Sequence, residues 1–176
     1  MRRILLSCAL LALLVLSAAA GASASGKAGF VVVQKGAGDG GVSGPPVVTV
    51  IVKGFVLGRF SHEGQVDIFQ LPSANVGQGA PSWKGADVLT SRIKWHGSGN
   101  TTFKGTRLSG SDFRFRAMGG SYRIVVRGSG IYLFAGGKGL VMLRGSRFNP
   151  RQDGRFAVNG GPFRSLPKRL VTRKIG

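Results

Sequence analysis

The residues best suited to chemistry are the arginines of FRFRAMGGSYRIVVRG, residues 113–128. Gly119-Gly120 readily supplies the positive φ angles of a type I′ hairpin loop. Pairing outward from such a loop sets Arg116 opposite Arg123, Arg114 opposite Val125 and Asp112 opposite Arg127. Side chains alternate across a strand. One face therefore collects Phe113, Phe115, Ala117, Tyr122, Ile124 and Val126 and is expected to be core. The other collects Asp112, Arg114, Arg116, Arg123, Val125 and Arg127. A one-residue slip would drive arginines inward.

Like charges directly opposed are mildly destabilising. The plain reading is guanidiniums splayed into solvent; the sharper one is planar forks suited to a phosphate or carboxylate. If Gly128-Ser129 is a second two-residue loop, Val125 meets Tyr132 and Arg123 meets Phe134. Tyr132 and Phe134 then join the arginines as aromatic support, and Ile131, Leu133 and Ala135 continue the core face. A three-residue GSG loop would reverse that assignment. A further hairpin around Gly137-Lys138 places Val141 and Leu143 near the rings. The closing PKRLVTRKIG adds Lys168, Arg169, Arg173 and Lys174, expected as an exposed basic tail. The candidate anion-binding set is thus Arg114, Arg116, Arg123, Arg127, Lys168, Arg169, Arg173 and Lys174.

Catalytic patterns are weak by comparison. Ser61-His62-Glu63 puts a hydroxyl, an imidazole and a carboxylate in sequence, but adjacent strand residues point to opposite faces. The stretch reads as a turn between GRF and QVDIF. Glu63 and Asp67, four apart on a strand, would stand about 13 Å from each other, too far for paired acid–base work. GGKG at 136–139 has neither the leading glycine nor the closing hydroxyl of a phosphate loop. Two isolated histidines, His62 and His96, and six scattered carboxylates suggest no metal site. No catalytic residue, metal or cofactor is expected.

The elements that must position these groups are short. From Val47 onward, β-branched and aromatic runs are separated by glycines: QVDIFQL, RIKWHG, SYRIVVRG, IYLFAG, GLVMLRG. Turn signals recur about every 8–12 residues, the spacing of an all-β sandwich or barrel. The expected fold is an antiparallel β-sandwich or barrel built from short hairpins, with a β-helix as the alternative. PSANVGQGAPSWKG (72–85) is expected as a loop between two halves, and GAGDGGVSGPP (36–46) as a linker. FVVVQK (30–35) could form a strand.

The N-terminus sets the context. Arg2 and Arg3 precede the apolar Ile4–Leu16, and Ala22-Ser23-Ala24 follows, the pattern of a secretory signal peptide cleaved after Ala24. Cys8 precedes most of the apolar run, which argues against a lipidation site. The expected organisation is signal peptide 1–24, flexible segment 25–46, β-domain 47–166 and basic tail 167–176. Cleavage removes 24 of the 176 residues and two of the 19 excess positive charges, so that 152 residues and a charge of +17 remain. The single cysteine leaves with the signal, so no intramolecular disulfide is expected. An exported chain without disulfides suits a bacterial envelope or medium, and Asn100-Thr101-Thr102 then means little as a glycosylation site.

The Ala-Gly-Arg-Val bias, the signal peptide, the glycine-separated strands and the closing RFAVNGGPFRSLP (155–167) resemble secreted β-rich proteins of high-G+C bacteria. The likeness covers about residues 90–167. It implies an envelope or extracellular setting and carries over no catalytic residues. In that closing stretch Asn159-Gly160 is a strong hairpin signal by its own chemistry.

The functional expectation is a secreted or envelope protein, non-enzymatic, that binds anionic envelope polymers or lipid headgroups through an arginine-rich surface. Nucleic acid is a non-specific partner of the same chemistry. The alternatives are an envelope enzyme acting on an anionic substrate and a scaffold whose charge serves solubility.

Overall fold

The computed structural model describes residues 28–71, 81–85, 88–96, 102–146 and 153–176. The side chains of 92–96 and 102–104 lie outside that description, as do the expected signal peptide, Asn100 and Thr101 of the sequon, and the side chain of His96.

The fold is all-β and antiparallel. Its strands are β1 (Gly29–Gly36), β2 (Val48–Phe60), β3 (Gly64–Gln70), β4 (Ser82–Lys84), β5 (Leu89–His96) and β6 (Thr102–Gly110), then β7 (Arg114–Gly128), β8 (Ile131–Leu143), β9 (Arg155–Val158), β10 (Arg164–Ser165) and β11 (Val171–Ile175). They form one open sheet in the order β10-β9-β1-β8-β2-β7-β3-β6-β5, with β11 added beside β8 and β4 beside β7.

Three long strands organise it. β2 pairs along its whole length with β7 on one side and β8 on the other. Four glycines meet in one row across four adjacent strands, because Gly54 pairs with both Gly120 and Gly137, and Gly137 pairs with Gly29. The row is a crease. Gly54 has φ 156° and Gly137 φ 136°, a region that side-chain-bearing residues avoid. A Cβ on Gly54 would sit 2.1 Å from the Gly136 carbonyl oxygen.

The crease divides the sheet into two leaves. The first holds β3, β5, β6 and β11 with Val48–Lys53, Ser121–Gly128 and Lys138–Leu143. The second holds β1, β4, β9 and β10 with Phe55–Phe60, Arg114–Met118 and Ile131–Gly136. The far ends of the leaves meet. Gly36 pairs with Ile131, which pairs with Phe60, and a Cβ on Gly36 would touch Val47 at 3.5 Å. Two residues, Ser129 and Gly130, therefore suffice to join β7 to β8, although both run antiparallel to the β2 between them. Parallel neighbours in an unfolded sheet need a dozen or more. One core fills the folded sheet, with Val48, Val50, Val66, Leu108 and Ile124 from the first leaf and Val56, Phe60, Phe115, Leu133 and Ala135 from the second. Phe60 stacks on Phe113 at 4.6 Å.

The inward set expected of FRFRAMGGSYRIVVRG is borne out: Phe113, Phe115, Ala117, Tyr122, Ile124 and Val126 are all buried, as are Ile131, Leu133 and Ala135. The expected hairpin is not. Residues 114–128 form one continuous strand, and Gly119 (φ 72°) is an extra residue between Gly120, opposite Gly54, and Met118, opposite Phe55. A single-residue bulge switches which parity faces inward, as an even-numbered hairpin loop does. The same alternation fits both, so the pattern of burial came out right and the pairing wrong. Tyr122 secures the bulge: its ring lies over Gly120, about 3.0 Å from where a Cβ would be, and its hydroxyl donates to the Met118 carbonyl at 2.8 Å.

Other short-hairpin expectations change for the same reason. Gly128-Ser129 does not pair β7 with β8, and Gly137-Lys138 lies inside the 13-residue β8. Strands this long, folded at glycines, replace the expected chain of short hairpins and leave no place for a β-helix. FVVVQK joins the sheet within β1, between β8 and β9. Ser82–Lys84 is a strand where a loop was expected; residues 72–80 are not described. The expected basic tail is ordered, because β11 pairs with β8 from Val171↔Leu143 to Ile175↔Gly139.

Asn159-Gly160 is the turn expected of it, with positive φ at both residues (51° and 75°) and Gly161 donating to the Val158 carbonyl at 3.0 Å. The Asn159 side chain also joins β1 to the end of β11. Its Oδ1 accepts from the amides of Phe30 (3.2 Å) and Gly176 (3.3 Å), and its Nδ2 donates to the Lys174 carbonyl (3.1 Å).

Candidate anion-binding face

The continuous β7 separates the arginines that a hairpin would have opposed. Arg116 pairs with Leu57 of β2 and Arg123 with Ile51. Six residue steps along β2, about 20 Å of strand at ~3.3 Å each, separate them. Asp112 is not opposite Arg127 either; it accepts from Arg59 at 3.2 Å across the surface.

Like charges are nevertheless set face to face, with different partners. Arg114 has Arg59 directly opposite on β2 and Lys84 directly opposite on β4. Lys84, Arg114 and Arg59 thus form a row of three cations on three adjacent strands, spaced about 4.8 Å apart at the backbone. All three are exposed. One step along, Arg116 donates its Nε to Ser82 Oγ at 2.7 Å, which leaves the terminal fork of its guanidinium facing outward. Among the described residues, Arg59–Asp112 is the salt bridge of this group, and with side chains 48% and 74% exposed it holds little energy.

Leu57, Ser82, Trp83, Lys84, Arg114 and Arg116 line a cleft of about 460 Å³ here, over Gly58. It falls in the size range of small-ligand sites. The apolar neighbours are on the same outer face. Tyr132 is opposite Arg59, and Phe134 is opposite Leu57. The aromatic support expected of Tyr132 and Phe134 therefore belongs to Arg59 and to the Arg114–Arg116 leaf, not to Arg123. Val141 and Leu143 are core residues away from those rings.

The remaining expected cations are dispersed. Arg123, half-buried, lies between Phe69 and Ile51 on the first leaf. Arg127 is committed to structure: its NH1 donates to Asp67 Oδ2 at 2.9 Å. Arg107 completes the site with Nε–Oδ1 at 2.7 Å and NH2–Oδ2 at 3.0 Å, and hydrogen bonding to that carboxylate raises the Arg107 pKa further. Arg173 and Lys174 of β11 line a second basic recess of about 250 Å³ with Arg164 and Asn159. Lys168 and Arg169 are exposed on the bend before β11. Lys84, Arg59 and Arg164 had no place in the sequence-derived set, because only the cross-strand register brings them to their partners.

Ser61, His62 and Glu63 lie in one place and Asp67 in another. Ser61–Glu63 is the loop joining β2 to β3, where the leaves meet. Ser61 Oγ lies 3.0 Å from His62 Nδ1 and 3.3 Å from the Gly130 carbonyl oxygen, and the Ser129 amide donates to the Glu63 carbonyl. Asp67 is 3% exposed and held by two arginines and Gln65. Among the described residues no three His, Cys, Asp or Glu side chains cluster as a metal site.

No family model, curated protein or solved structure matches the chain.

Proposed function

We propose that this chain is an exported, non-enzymatic envelope protein whose basic outer face holds anionic polymers or lipid headgroups. The observation that carries the reading is the cross-strand row Lys84–Arg114–Arg59 with Arg116 beside it. Opposed like charges cost stability, and an anion lying along the row relieves that cost. Guanidinium forks suit phosphate and carboxylate oxygens. The excess of 25 Lys and Arg over six Asp and Glu supplies long-range attraction to the same partners. The signal-peptide pattern of residues 1–24 supports export. Non-specific nucleic-acid binding follows from the same chemistry.

The test is co-sedimentation with purified bacterial envelope across a salt series, for the wild type and for K84A/R114A/R116A. These side chains are exposed or held only to Ser82, so the variant should fold. Binding that weakens with salt and falls sharply in the variant supports the reading. Binding unchanged by salt, or equal in the variant, overturns it.

A further inference from the structure

We infer that the second leaf docks on an anionic lipid surface, resting on the cationic face just proposed and naming its partner. The carrying feature is an apolar strip beside the cations. Leu57 (39% exposed), Met118 (49%) and Tyr132 (36%) all emerge on the outer face of this leaf. The register connects them: Phe55 is opposite Met118, Leu57 is opposite Arg116 and Phe134, and Tyr132 is opposite Arg59. The half-buried rings of Phe55, Phe134 and Phe30 fill the strip, with centroids 5.4 and 6.0 Å apart. Contiguous apolar surface of this kind marks a contact site on a soluble fold.

Charge complementarity selects the occupant. A hydrophilic polyanion satisfies Lys84, Arg114 and Arg116 and leaves Leu57 and Met118 in water. A second copy of this chain meets the strip with the same cations and is repelled. An anionic bilayer answers both features: lipid phosphates lie along the cation row, and Leu57 and Met118 enter the boundary between headgroups and acyl chains. Tyrosine belongs at that boundary, and long cationic stems reach back from it to the phosphates.

The experiment uses the full chain and vesicles of phosphatidylglycerol and phosphatidylcholine in equal parts, with pure phosphatidylcholine vesicles and soluble polyphosphate as separate probes. The apolar residues 4–16 are common to every variant, so differences between variants isolate the leaf. Each cation near an anionic surface contributes a factor of about five, so K84A/R114A/R116A should lose about 100-fold in affinity for the mixed vesicles. M118S, changed only at an exposed position outside the cleft, should lose about fivefold for those vesicles and keep its affinity for polyphosphate. Equal binding of M118S and wild type to the mixed vesicles overturns the inference. Wild-type binding to polyphosphate but not to vesicles also overturns it, and leaves the proposed function standing. Binding to neither removes both. Self-association through Leu57 and Met118 without vesicle binding assigns the strip to a second copy and overturns it as well.

Discussion

Replacing Asp67 by Asn keeps the shape of the side chain and removes the charge that two strands converge on. Its carboxylate, 4% exposed, accepts from Arg107 Nε and NH2 at 2.7 and 3.0 Å and from Arg127 NH1 at 2.9 Å. Breaking a buried ion pair from one side costs about 3–5 kcal/mol. Arg107 is 39% exposed and Arg127 23%, so water recovers part of the loss, and about 2–3 kcal/mol is a fairer expectation. For a chain of this size each kcal/mol lowers Tm by about 2–4 °C, which puts the D67N shift at about 5–10 °C. The assay is thermal unfolding followed by circular dichroism at low and high salt. A partly buried pair is weakly screened, so the shift should persist in high salt. A change of about 1 °C or less, or one that vanishes in salt, would show that the β3–β6–β7 junction does not depend on this carboxylate.

Three further outcomes are expected. G54A places a methyl group against the Gly136 carbonyl at the crease and should lower stability by about 3 kcal/mol or more, or prevent folding; soluble yield and denaturant titration check it. Y122F removes the bond to the Met118 carbonyl that closes the bulge and should cost about 1 kcal/mol at neutral pH. Burial raises the Tyr122 pKa in the folded chain, so the unfolded chain ionises first and the wild type loses stability as pH rises above 10. Y122F should lack this tyrosine's share of that loss, measured by denaturant titration from neutral to alkaline pH. N159G keeps the positive φ of the turn but releases Phe30, Lys174 and Gly176, and should raise hydrogen exchange in β1 and β11 before it affects β2 or β7.

Much of the inner face was legible from the sequence because alternation survives any change of partner. Phe113, Phe115 and Ala117, then Tyr122, Ile124 and Val126, are inward in a hairpin and in a bulged strand alike. Partners were not legible, because glycine serves two purposes. At Asn159-Gly160 it ends a strand in a turn, as its chemistry announces. At Gly54, Gly120 and Gly137 it lets a strand continue through a sharp fold, and nothing in KGF, GGS or GGK tells one use from the other. The error passed to the site. A hairpin at Gly119-Gly120 sets Arg116 against Arg123, whereas a bulge sends them to different leaves. The residues that do face Arg114 are Arg59 and Lys84, 55 and 30 positions earlier in the chain. Long-range register brings them together, and no local pattern carries it.

The central claim is that Lys84, Arg114 and Arg116 bind anions as a group. The most direct measurement is the dissociation constant for a single-stranded oligonucleotide, a polyanion of known charge spacing, across a salt series for wild type and K84A/R114A/R116A. Each phosphate neutralised contributes about −0.7 to the slope of log K against log salt on a single strand. Loss of three contacts should flatten the slope by about 2. An unchanged slope, with binding intact, would contradict the account and leave the cation row a solvated strand face.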